Sequence, residues 1–184
     1  MVGLEDTCMA LSGTAGDDDG TGAHGAGAFV FCGDSRHTVD GKKRVFLAKR
    51  FQQGLPLDPE GNRVAVLTRG LDGCLFLFPE FGLERALQRM NTEAFAPKDM
   101  RKLQRMFFSF SHRVSLDASG RLLLPEKLRK LAGIEKEVVA VGVMDRIELW
   151  AAERWDAFAA ENEDAFDDLE DLLTGDSSAN GDRS

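Results

Sequence analysis

Val39-Asp40-Gly41-Lys42-Lys43-Arg44-Val45-Phe46-Leu47-Ala48 returns later in the chain as Leu116-Asp117-Ala118-Ser119-Gly120-Arg121-Leu122-Leu123-Leu124-Pro125. Each copy reads as the end of a short alternating strand, a polar turn opened by Asp, and a second strand started by Arg. A short helix with basic residues follows in both places. A repeat that spans most of a small protein describes its architecture.

The echo continues downstream, where Val64 to Leu77 matches Val138 to Trp150 in pattern more than in letters. Within the first of these stretches Asp72-Gly73, flanked by apolar runs, signals a hairpin. Two half-domains follow, each of about four strands and one or two helices. A half of about 65 residues is marginal as an independent core, so the halves are expected to share one core or to complete it by association.

The formal charge is −8, yet it is unevenly placed. Residues 1–28 hold five acids and no Lys or Arg, and residues 159–184 hold nine acids and one Arg, which leaves residues 29–158 at +5. The acidity belongs to the ends, and the part with a folding pattern is mildly basic.

Other features narrow the function classes. Cys8, Cys32 and Cys74 form no C-x-x-C pair and no metal-like spacing with the three histidines, which fits a reduced cytoplasmic protein. No apolar run approaches the roughly 18 residues of a membrane span, and the N-terminus lacks the basic-then-apolar order of a signal peptide. Gly20 to Gly25 spells G-x-G-x-x-G without a preceding strand or a following helix, so no nucleotide cofactor is expected. The chain contains no P-loop, H-E-x-x-H or G-x-S-x-G pattern. His37 and His112 sit beside Arg36 and Arg113, at what read as equivalent places in the two copies, and are assigned to a partner subunit or DNA backbone. No catalytic site and no metal site is expected.

Along the chain, residues 1–28 are too poor in large apolar groups to repay ordering and read as a disordered extension. Residues 29–80 form the first half, 81–111 the connecting helices, 112–160 the second half, and 161–184 an acidic, largely disordered tail. Gly54 to Asn62, with Pro56 and Pro59, is a loop. Leu83, Leu87 and Met90 mark one helix, and Pro97 opens another in which Met100, Leu103, Phe107 and Phe110 recur at helical spacing. Pro125 opens a helix that Gly133 closes. Cys74, in an apolar strand, is expected to be packed and unreactive. Arg69 and Asp72 read as a buried or interfacial ion pair near the hairpin.

Five of the eleven residues from 40 to 50 are basic: Lys42, Lys43, Arg44, Lys49 and Arg50. On one hairpin and the helix after it, they make a compact cation able to displace counterions from phosphates. A two-stranded ribbon also fits the major groove, where Arg can take guanine bidentately. The plainer reading is that Asp40 and Arg44 close the turn, with Asp accepting backbone N–H groups and Arg pairing with it. That reading suits the aspartates better than it suits Lys42 and Lys43.

Three stretches carry a resemblance to a known family: Thr68-Arg69-Gly70-Leu71-Asp72-Gly73-Cys74-Leu75-Phe76-Leu77-Phe78-Pro79, the turn from Asp117 to Pro125, and Gly133-Ile134-Glu135-Lys136-Glu137-Val138 with Val141-Gly142. Over roughly residues 29–160 the chain resembles MraZ, bacterial transcriptional regulators built from two SpoVT/AbrB-type half-domains. The resemblance implies an α+β fold of two pseudo-symmetric swapped-hairpin, double-psi-like half-domains joined by a helical pair. It implies binding to double-stranded DNA at promoter repeats upstream of the division and cell-wall gene cluster, a ring-shaped homo-oligomer, and a nucleoid-associated cytoplasmic location. The family motif Asp-x-Lys-Gly-Arg maps onto Asp40, Lys42 and Arg44, and Lys43 stands where it has Gly. Ala48 stands where Pro is usual, which should loosen the helix start.

The DNA-binding residues expected on this basis are Lys42, Lys43, Arg44 and Lys49, with Arg121 auxiliary because the second turn has a single basic residue. The competing classes are an oligomeric protein-interaction scaffold without specific DNA binding and an AbrB-type antitoxin. The double copy counts against the antitoxin, whose chains are usually short and single-copy.

Overall fold

The computed structural model describes residues 29–90 and 97–163. The expected N-terminal extension and nearly all of the acidic tail, including the helical extension sketched by Phe166, Leu169 and Leu172, lie outside the described residues.

The repeat is visible in the order of elements. The first copy gives β1 (Asp34–Thr38), β2 (Arg44–Phe46) and α1 (Lys49–Gln53), then the hairpin β3 (Val64–Arg69) and β4 (Leu75–Phe78). Two helices follow, α2 (Glu80–Arg89) and α3 (Lys98–Ser109). The second copy gives β5 (His112–Ser115), β6 (Arg121–Leu123) and α4 (Glu126–Ala132), then the hairpin β7 (Glu137–Val143) and β8 (Arg146–Ala151), and α5 (Ala152–Glu161) follows.

Local chemistry accounts for the helix boundaries. Pro79, Pro97 and Pro125 each precede a helix start, where a fixed φ and a missing N–H cost nothing. Glu126 in the first turn and Arg129 and Lys130 in the last complement the dipole of α4, and Gly133 closes it in the left-handed conformation at φ 68°.

The two copies do not form separate sheets. A six-stranded sheet runs in the order β1-β7-β8-β4-β3-β5, and β2 pairs with β6 in a second, two-stranded sheet. All six pairings are antiparallel. Thus β1 of the first copy lies on β7 of the second, and β5 of the second lies on β3 of the first. The expectation of a shared core is met by interleaving, because each copy supplies edge strands to the other. The fold is α+β, with α2, α3 and α4 packed on an antiparallel sheet.

The core draws on both copies. Val45, Leu47, Phe51 and Leu67 from the first pack in one cluster with Leu122, Leu124, Leu128 and Ile134 from the second. Gly82 brings α2 against the β7–β8 turn so closely that a Cβ there would strike the carbonyl oxygen of Asp145. On α3 the expected stripe divides: Phe107 and Phe110 are buried, whereas Leu103 is 44% exposed. From Glu153 the chain forms a second unit, in which the rings of Trp155 and Phe158 stack with centroids 5.8 Å apart.

Candidate nucleic-acid interface

The two repeated turns have one construction. Asp40 Oδ1 accepts the backbone N–H of Lys42 at 2.8 Å and of Arg44 at 2.9 Å. Asp117 Oδ1 accepts those of Ser119 at 2.9 Å and Arg121 at 3.0 Å. Closing bonds run from Lys43 N–H to the Asp40 carbonyl and from Gly120 N–H to the Asp117 carbonyl. Both aspartates therefore act as turn formers, as the plainer reading had it.

The fourth position of each turn is left-handed: Gly120 has φ 74° and Lys43 has φ 62°. Lys43 accepts a conformation that suits glycine, and the register of the turn is unchanged. Ala48 likewise keeps the geometry of its counterpart, with φ −55° and ψ 144° beside −55° and 134° at Pro125. The expected loosening at the start of α1 is absent from the backbone geometry, because the Phe51 and Gln52 N–H groups both bond to the Ala48 carbonyl.

The turns are tied to one another. In the β2–β6 pair Arg44 lies opposite Leu123 and Phe46 opposite Arg121. Beyond the ladder, Leu47 N–H donates to the Gly120 carbonyl at 3.0 Å, and Leu124 N–H donates to the Lys43 carbonyl at 3.1 Å. The Gln52 amide packs on Gly120, where any Cβ would collide with it, and donates to the Leu47 carbonyl at 2.6 Å.

Charges complete the link. Arg44 Nε and Nη2 donate to Asp40 Oδ2 at 2.9 and 2.7 Å, and Arg44 Nη1 reaches Asp117 Oδ2 at 3.0 Å. Arg121 Nε donates to Asp117 Oδ2 at 3.0 Å, and its Nη1 lies 4.0 Å from Asp40 Oδ2. The result is a tetrad of two aspartates and two arginines, one of each from each copy. The backbone N–H of Arg44 lowers the Asp40 carboxyl below the usual carboxylate range, with the Arg44 side chain adding to it and partial desolvation opposing it. The Arg121 N–H and side chain do the same for Asp117.

The five residues expected to bind DNA fall into two environments. Lys42, Lys43 and Lys49 are exposed, and no ion pair holds them among the described residues. Arg44 and Arg121 are half-buried within the tetrad. Arg50, part of the same basic run, donates to the Asp34 carbonyl and lays its guanidinium 5.0 Å from the Phe51 ring centre. Strand alternation turns Val45 and Leu122 into the core at 1% exposure each and leaves Leu123 at 57%. Sequence reasoning missed Asp117 as a partner of Arg44; the repeat of Asp and Arg was the available signal, without the pairing.

Other assignments change. Counting back from Asp40 and Asp117, Arg36 matches Arg113, but His37 matches Val114, so the two histidines are not equivalent. His37 packs edge-on against Phe46 with centroids 5.2 Å apart, and burial, with Arg50 nearby, pushes its pKa down. Arg69 and Asp72 are both exposed and form no ion pair with each other, since the tight turn at φ 52° and 87° for Asp72 and Gly73 stands clear of the core. Cys74, by contrast, is packed as expected: it is buried, its thiol donates to the Leu71 carbonyl at 3.2 Å, and burial with the nearby Glu148 carboxylate raises its pKa far above the ordinary range.

A second surface feature is a groove of about 530 Å³ between the β3–β4 hairpin, α2 and α3. Phe76, Phe78, Leu103, Met106 and Phe107 line it together with Arg69 and Arg89. Arg146 forms part of its wall, stacked 4.6 Å from the Phe76 ring centre and donating to Glu148 at 2.7 Å.

Among the described residues no cluster of His, Cys, Asp and Glu is suited to a metal ion, and no helix is long and apolar enough to cross a membrane. What remains is a two-copy antiparallel α+β protein whose repeated turns interlock, with Lys42 and Lys43 exposed on the first turn and Lys49 exposed at the start of α1. The family model described as "MraZ protein, putative antitoxin-like" matches residues 30–106 and again 107–175. The chain is 38% identical over 140 residues to a protein of Desulforamulus reducens named "Transcriptional regulator MraZ", covering 76% of this chain and 94% of that one. Proteins of the same name from Pelotomaculum thermopropionicum and Moorella thermoacetica are each 37% identical over 144 residues, 78% of this chain and 95% and 96% of theirs. This chain belongs to the MraZ family.

Proposed function

We propose that this protein is a transcriptional regulator that binds double-stranded DNA sequence-specifically through the edge formed by its two interlocked turns. The observation that carries the reading is the exposure of Lys42, Lys43 and Lys49 beside the β2–β6 ribbon, which supplies cations where a groove or backbone would lie. Arg44 and Arg121 shape the same edge. The names of the relatives support regulation, and the reading needs no catalytic group and no cofactor.

The finer parts of the proposal follow the family resemblance. The targets are promoter repeats upstream of the division and cell-wall gene cluster, and the protein acts in the cytoplasm at the nucleoid. Several copies form a ring that presents many weak edges to tandem repeats, so avidity replaces single-site strength. The interleaved copies are read as swapped-hairpin half-domains, residues 29–80 and 112–160, joined by helices between 81 and 111.

The test is a mobility shift on DNA from upstream of the protein's own gene, in a salt series, with Lys42→Ala/Lys43→Ala/Lys49→Ala alongside. Saturable binding that weakens with salt and is lost in the variant supports the reading. One observation favours the scaffold alternative: the largely apolar groove whose lining includes Arg69 and Arg89. A protein interface there would be nearly indifferent to salt and untouched by the lysine variant.

A further inference from the structure

We propose that Asp117, in the second copy, is a positioning residue for the DNA-contacting turn of the first. This inference rests on the DNA-binding reading above and extends it to a residue that touches no phosphate. Asp117 and Arg44 are 73 residues apart in sequence and 3.0 Å apart in space. Arg44 grips Asp40 through two nitrogens, and Asp40 in turn caps the backbone of Lys42 and Arg44. A continuous path of bonds therefore runs from the second turn, through Asp117, Arg44 and Asp40, to the lysines. A second tie, Leu124 N–H to the Lys43 carbonyl at 3.1 Å, comes from the same copy.

The first turn requires such support because Lys43 holds φ 62° without the freedom of glycine. The second turn, Asp117-Ala118-Ser119-Gly120, contains no lysine, so its main contribution to DNA binding is to hold the other turn still. This assigns unlike tasks to the two copies: one carries the lysines and the other orients them.

Charge alone makes the opposite prediction. A carboxylate beside a phosphate-binding edge repels DNA, so its removal should tighten binding; a positioning carboxylate should weaken binding when removed. Asp117→Asn separates the two, because its amide oxygen still caps Ser119 and Arg121 while the anion facing Arg44 is gone. The experiment titrates the full-length chain against a labelled duplex from upstream of its own gene, and against an unrelated duplex, across a salt series. Thermal unfolding of each variant is measured in parallel.

For Asp117→Asn we expect affinity about three- to fivefold weaker at every salt concentration, with an unchanged slope of log affinity against log salt. Asp117→Glu should recover part of the loss. Lys42→Ala should instead reduce the slope by about 0.9, the signature of a lost phosphate contact. If Asp117→Asn proves poorly folded, Asp117→Ser, which also keeps a capping oxygen, is read in its place under the same criteria. Binding by the Asn or Ser variant equal to or tighter than the parent's overturns the positioning role and leaves the DNA-binding reading intact. Failure of the parent chain to bind either duplex at the lowest salt overturns both.

Discussion

Arg44 Nη1 lies 3.0 Å from Asp117 Oδ2, a side-chain ion pair that links the two copies of the repeat at their turns. Each partner is also held within its own copy, Arg44 by Asp40 and Asp117 by Arg121. The side chains keep 23% and 32% of their exposure, so solvent moderates the attraction. A double-mutant cycle with Arg44→Ala and Asp117→Ala, read by denaturant unfolding, should give a coupling energy of about 0.5–1 kcal/mol, the upper part of the range for accessible pairs. A value near zero would mean that the tetrad does not act as a unit.

Lys43 and Gly120 occupy equivalent left-handed positions at φ 62° and 74°. Lys43→Gly should therefore stabilise the fold by about 1 kcal/mol, by removing the steric cost of a Cβ in that region. The same change removes a cation from the proposed interface, so stability should rise while the salt slope of DNA binding falls. Paired thermal melts and salt titrations would check both signs.

Leu122 and Leu123 are neighbours on β6 with opposite surroundings, 1% and 57% exposed. Leu122→Ala opens a cavity between the copies and should cost about 2–5 kcal/mol. Leu123→Ala should stay within about 0.5 kcal/mol. Urea unfolding of the two variants measures the difference, and comparable losses would contradict the strand alternation.

The carboxyls of Asp40 and Asp117 are lowered below the usual range. Their stabilising contribution is present above the unfolded-state value of about 4 and is lost as pH falls through the lower folded-state values. His37, whose pKa burial pushes down, contributes stability that is complete above about 6.5 and declines as pH falls below it. Unfolding free energy measured across acid pH should thus show two declines. His37→Gln should flatten the first, and Asp40→Asn/Asp117→Asn the second.

Much of the fold was legible because it depends on contacts a few residues apart. Asp40 caps residues two and four positions ahead, Pro125 and Gly133 bound α4 by their own backbone preferences, and Asp72-Gly73 turns the chain between two apolar runs. The repeat extended those signals to the whole chain. Lys43 was readable as a glycine position from the family motif, and its copy supplies Gly120 there.

The residues that sequence reasoning placed less well depend on what lies across space. Leu103 fits the helical stripe of α3 yet faces a groove, because periodicity specifies a face but not how much of that face finds a partner. His37 and Arg50 lie in a basic stretch, yet one packs on Phe46 and the other is tied to the Asp34 carbonyl.

By itself, the sequence determined two copies of one unit, the positions of their turns and helix ends, the basic character of the first turn and the family, all of which rest on local backbone chemistry or direct likeness. Only the tertiary structure decided that β1 joins β7, that β5 joins β3, and that Arg44 is held by Asp117 while the lysines remain exposed. The physical reason is that an antiparallel edge accepts any strand of suitable pattern, and an arginine any nearby carboxylate. The packing of one shared core selects which partners meet.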